Sequence, residues 1–175
     1  MDMNPPSRSR KLLALCALGV LVLAGCGDDE SEAVGSGGSA NDLSSTGGCG
    51  GPTFYAANGD DTAILVIKAH ELFPTDELSS RTVELPNDDV DIRYQVGTHI
   101  TGHTCDDAPE QSAQVERTYR PTAGSLEFDF EVTDPFENSR GSVTASGLEL
   151  TSTTGDTIDL DEVTIIDVPV GTMTG

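Results

Sequence analysis

Seven residues in the middle of the chain, His99-Ile100-Thr101-Gly102-His103-Thr104-Cys105, set two imidazoles and a thiol in an H-x3-H-x-C pattern. Imidazole nitrogen and thiolate sulfur both suit zinc and copper, so His99, His103 and Cys105 form a candidate metal site. The geometry is demanding. On an extended strand His99 and His103 stand ~13 Å apart at about 3.3 Å per residue, and only a sharp bend at Gly102 gathers them around one ion. A disulfide at Cys105 would remove the thiolate from the donor set, leaving two loop histidines.

Harder donors occur in two acidic stretches, Asn58-Gly59-Asp60-Asp61 and Asn87-Asp88-Asp89-Val90-Asp91. Carboxylates and amide oxygens on converging loops are calcium chemistry, with Asp60, Asp61, Asp88, Asp89 and Asp91 as the candidate ligands. Neither stretch has the D-x-[DN]-x-[DN]-G run of an EF-hand loop, and solvated loop acids account for both more simply. Calcium is the one cofactor these residues admit; otherwise none is expected. Catalytic motifs are missing: there is no G-x-S-x-G elbow, S-x-x-K, H-E-x-x-H or P-loop, and only three histidines (His70, His99, His103) are available for base chemistry near neutrality. The chain is expected not to be an enzyme.

The N-terminus carries a different kind of chemistry. Arg8, Arg10 and Lys11 precede Leu12–Gly25, an uncharged apolar run that ends on Leu23-Ala24-Gly25-Cys26 and turns at once to Asp28, Asp29 and Glu30. A basic segment followed by an apolar stretch of about 7–15 residues has the pattern of an export signal, and a spanning helix needs roughly 20 apolar residues. Leu23-Ala24-Gly25-Cys26 resembles the lipobox of bacterial lipoproteins. The resemblance covers residues 1–26 and implies a diacylglyceryl group on Cys26 and cleavage before it. It further implies attachment to a membrane through the lipid, on the periplasmic or cell-surface side, with the outer membrane favoured over the inner. Each buried acyl CH₂ is worth ~0.8 kcal/mol, so two or more chains hold stably without a spanning helix.

Once Cys16 leaves with residues 1–25 and Cys26 is lipidated, Cys49 and Cys105 remain of the four cysteines. An even remainder in an exported chain predicts one disulfide, worth ~4 kcal/mol in the chain-entropy estimate for a loop of this length. Residues 26–52 are Gly-, Ser- and acid-rich with little to bury, which predicts a lipidated flexible tether, its residues 27–48 spanning ~26 Å r.m.s.. The formal net charge is −21, and cleavage would remove three basic residues and one acid, leaving a chain more acidic still. Nucleic acid is excluded as a partner, because phosphate binding needs clustered Lys and Arg.

These residues need a scaffold, and the remaining pattern is that of strands. Leu126, Phe128, Phe130 and Val132 alternate with polar neighbours, as do Val90, Ile92, Tyr94 and Val96. Ala63–Ile67 is continuously apolar and predicts a central strand. Further strands are predicted at 80–85, 112–120, 141–151, 157–160 and 162–168, with turns at 86–89, 134–138 and 153–156, the last closing a hairpin between Leu148/Leu150 and Ile158/Leu160. Thr75–Leu78 after Pro74 predicts a single helical turn. Thr122-Ala123-Gly124-Ser125-Leu126-Glu127 is similar to Thr144-Ala145-Ser146-Gly147-Leu148-Glu149, which two similar strand starts in one sheet explain without a duplication.

The expected architecture is all-β, a single antiparallel sandwich or barrel over residues 53–175. The expected role is a non-catalytic binding or structural one in the bacterial envelope, toward a protein or glycan partner. A calcium-assisted carbohydrate-binding or adhesion module is the alternative, and a metal-dependent enzyme the second alternative.

Overall fold

The computed structural model describes residues 42–69, 72, 78–105, 112–134 and 136–171. They form one antiparallel sheet of eight strands: β1 Ser45–Cys49, β2 Thr53–Ala57, β3 Ala63–Lys68, β4 Leu78–Glu84, β5 Asp91–Thr98, β6 Gln114–Glu131, β7 Arg140–Ser152 and β8 Thr157–Pro169. The hydrogen-bonded order is β1-β2-β3-β5-β6-β7-β8, and β4 pairs with the second half of β6 on the edge whose first half pairs with β5. The sheet curls into a nearly closed, barrel-like form, so the all-β expectation holds.

The curl is visible in the core. Phe54 on β2 lies 5.8 Å from Phe128 and 6.0 Å from Phe130 on β6, strands that are not neighbours in the sheet and meet only across its interior. Phe128 and Phe130 stack at 5.7 Å, and Leu65, Tyr94 and Leu150 complete a fully buried apolar filling. Alternation puts this filling inside and Glu127, Asp129 and Glu131 outside. A lipid-embedded barrel has the opposite arrangement, with its apolar band outward. At the seam β1 runs beside β8: a methyl group on Gly48 would stand 2.6 Å from Val168 Cγ2 and 3.0 Å from the Pro169 carbonyl oxygen. Only a residue without Cβ lets the two strands come this close.

Ala63–Lys68 is the interior strand its composition predicts, paired on both edges. Both of its faces are buried, Leu65 and Ile67 in the main core and Ile64 and Val66 in a second cluster on the outer side. The expected hairpin at 153–156 is present, with Leu148 opposite Leu160 and Leu150 opposite Ile158.

Several boundaries differ from expectation. The sheet begins at Ser45, within the segment expected to be tether and ahead of the expected domain start at residue 53, because backbone pairing with β2 holds a stretch that has little to bury. The expected strands 112–120 and 126–132 are one strand, β6, and 157–160 and 162–168 are likewise joined as β8; Val132 lies just past the end of β6. Of the helical turn expected at 75–78, residues 75–77 lie outside the described residues and Leu78 begins β4.

β6 is continuous because its middle is bulged. Tyr119 and Leu126 both face inward although they stand an odd number of residues apart, and the ladder shifts register between Pro121, Ala123 and Ser125 to allow it. Gly124, at φ 124°, and Gly147 on β7, at φ 57°, take conformations that a side chain resists. They belong to the two similar hexapeptides, which therefore lie against each other across β6 and β7, Ser125 opposite Ser146 and Leu126 opposite Ala145. The likeness of sequence marks a shared bend.

Candidate functional site

The H-x3-H-x-C stretch folds as a strap across the outside of β1–β3. His99, at φ 55°, turns the chain out of β5, and its Nδ1 lies 3.7 Å from Asp61 Oδ2 in the β2–β3 turn. The Thr101 backbone N–H donates to Asp61 Oδ1 at 2.8 Å. Between these anchors Ile100 is buried against Ala57, Ile64 and Val66, which explains why the outer side of β3 is as apolar as its inner side. Residues 101–103 make a 3-10 turn, and His103 Nε2 accepts the Ala113 backbone N–H at 2.5 Å where the chain returns to β6. Cys105 then forms a disulfide with Cys49 on β1, with Cα atoms 5.8 Å apart.

The expected disulfide is thus present, and its Cα separation lies in the usual range. The candidate zinc or copper site does not form as drawn, because Cys105 is taken by the disulfide; His99 is turned to Asp61, and His103 accepts a backbone N–H. Burial raises the Asp61 pKa, but the side-chain and backbone hydrogen bonds of Thr101 and the neighbouring His99 outweigh it and hold the carboxyl below the usual range.

The candidate calcium ligands are also dispersed. Asp60 Oδ1 accepts the Thr62 hydroxyl at 2.7 Å, and Asp61 holds the strap. Asp88 is exposed, and the Asp89 N–H donates to Asn87 Oδ1 at 2.9 Å in a tight turn. Asp91 is bound by two guanidinium groups. Among the described residues no group of three His, Cys, Asp or Glu side chains is gathered for an ion. The apolar leader, Cys26 and the first part of the acidic stalk lie outside the described residues, and among those described no helix is long and apolar enough to cross a membrane.

A different place concentrates unlike chemistry. Six basic residues follow Cys26 in the sequence, and two of them meet on the outer face of β5 and β6. Arg93 and Arg120 adjoin Tyr94 and Tyr119, the pair that ends the β5–β6 ladder, and Thr151 lies opposite Arg120 on β7. Asp91 lies between them, its Oδ2 2.6 Å from an Arg93 terminal nitrogen and its Oδ1 3.0 Å from an Arg120 terminal nitrogen. Burial raises the Asp91 pKa, and the hydrogen bonds and charges of Arg93 and Arg120 overcome this and lower it. The two arginines open onto a groove of about 410 Å³ lined also by Gln95, Thr118, Thr151 and Thr153.

Pattern reading passed over this groove because it has no contiguous motif. Its only early signal is that Arg93 and Arg120 interrupt the wet faces of otherwise acidic strands. A second recess of about 360 Å³, lined by Ser80, Asp129, Glu131, Ser142 and the Arg140–Asp167 ion pair, matches its cation with carboxylates. Comparison with known proteins adds no assignment: the chain matches no family model, no curated protein and no solved structure.

Proposed function

We propose that this chain is an exported lipoprotein whose β-barrel domain is carried on a lipid at Cys26 and serves the envelope by binding rather than catalysis. The observation that carries the reading is the Cys49–Cys105 disulfide. Such bonds persist where proteins meet an oxidising compartment, which agrees with a basic and apolar leader ending at Leu23-Ala24-Gly25-Cys26. The two features are independent, since one is a contact within the barrel and the other a pattern in the first 26 residues of the sequence.

A binding role is supported by the way the residues with catalytic potential are used. His99, His103 and Asp61 fasten the strap, and the acid-rich strand faces keep the domain soluble and clear of other anionic surfaces. The groove on β5–β7 supplies polar and cationic recognition groups. Replacing Cys26 with Ser tests the anchor. The wild-type chain is expected in the membrane fraction, released by detergent, and the variant in the soluble fraction. A variant that remains with the membrane to the same extent would refute lipidation at this residue.

A further inference from the structure

We propose that the Arg93–Arg120 groove binds a ligand bearing one carboxylate on a hydroxyl-rich body, of the chemical class of a uronic-acid sugar. The proposal rests on the reading of the barrel as a binding domain and assigns that domain its ligand chemistry. Three observations of its charged groups support it.

Like charges brought close together are unfavourable, yet Arg93 and Arg120 converge on a single carboxylate in a chain of net charge −21 with few cations to place. Asp91 supplies one carboxylate for two guanidinium groups, which leaves a local positive charge. Arg93 Nε is buried and donates to no acceptor among the described residues, although a buried donor ordinarily has one. A guanidinium edge presents two parallel N–H groups, the geometry that a carboxylate accepts in bidentate fashion.

The remaining lining sets the rest of the ligand. Gln95, Thr118, Thr151 and Thr153 offer uncharged donors and acceptors, suited to hydroxyl groups, with their methyl and methylene groups between them and no aromatic side chain. About 410 Å³ is at the small end of ligand sites, room for one or two sugar rings. The overall negative field repels a dense polyanion, which favours a ligand whose charge is isolated. Binding is an exchange: the ligand carboxylate enters between the guanidinium groups and Asp91 gives way.

The test uses the full chain in mild detergent, with galacturonate and its neutral methyl ester as probes in titration calorimetry. Galacturonate is expected to bind, and the ester to bind at least about tenfold more weakly. Arg93→Gln and Arg120→Gln should each weaken galacturonate binding about tenfold or more. Asp91→Asn should tighten it several-fold, because the internal competitor is gone, an effect that loss of structure cannot produce. Circular dichroism melts establish that each variant is folded, and if Arg93→Gln is not, the exposed Arg120 and the Asp91 variant decide the matter. Equal affinity for acid and ester, unchanged binding in the folded arginine variants, unchanged binding in Asp91→Asn, or no binding by folded wild type would each overturn the proposal. Because the titration does not depend on the membrane, its failure is distinct from failure of the Cys26 anchor.

Discussion

Asp61 shows how a single side chain can fix what a loop is for. Its backbone sits at φ 61°, a conformation that Asp and Asn tolerate better than most residues, and its carboxylate accepts from Thr101 while facing His99. Replacing it with Ala should cost about 1–2 kcal/mol, through a lost acceptor and a less tolerant backbone. Asp61→Asn keeps both the acceptor and the backbone tolerance and should cost less than about 1 kcal/mol at neutral pH. The pH dependence has a definite sign. The folded Asp61 pKa is lowered, so its stabilisation is present above the ordinary carboxylate value and is lost as pH falls through the folded one. Urea melts of wild type and Asp61→Asn at pH 7 and at progressively lower pH should therefore converge in acid; a gap that widens as pH falls would contradict this role.

The bend shared by β6 and β7 belongs to the scale of the element. At Gly124 an added Cβ would stand 2.9 Å from the Gly147 carbonyl oxygen and 3.1 Å from Leu148 Cα, whereas at Gly147 it would meet nothing within 4 Å. Both glycines have positive φ. Gly147→Ala should accordingly cost about 1–2 kcal/mol from backbone conformation alone, and Gly124→Ala more, because the neighbouring backbone must also move. Equal losses in thermal melts would show that the bend relaxes freely. The bend also marks where pattern reading works and where it stops. Leu126, Phe128 and Phe130 were legible because a half-buried strand leaves a period of two in its residues. The joining of 112–120 to 126–131 was not, because a bulge reverses that period without ending the strand. β1 was hidden for a different reason, since Ser45-Thr46-Gly47-Gly48-Cys49 is held by backbone pairing and close approach, neither of which needs apolar side chains. In the functional region, the disulfide followed from cysteine arithmetic, while the strap and the arginine groove depend on contacts between residues far apart in sequence.

At the scale of the whole molecule, the strap, the seam and the first strand of the sheet are one problem. β1 is the first strand of the sheet, pairs on one edge with β2 and abuts β8 at Gly48 on the other. Nothing in its composition would keep it there against the entropy of a Gly- and Ser-rich chain. The Cys49–Cys105 bond ties its end to the strap, and the strap is itself fixed to the β2–β3 turn by Asp61 and to the outer face of β3 by Ile100. The seam should therefore be the part of the barrel most dependent on oxidation. Replacing both Cys49 and Cys105 with Ser is expected to cost about 2–4 kcal/mol, roughly 10 °C in melting temperature for a domain of this size. Hydrogen exchange should locate the loss, with amides of Ser45–Cys49 and of β8 near Val168 losing protection first while those of β3, paired on both edges, keep it. Uniform loss across all strands would mean that the disulfide stabilises the barrel as a single cooperative unit, and that β1 holds its place at the seam without it.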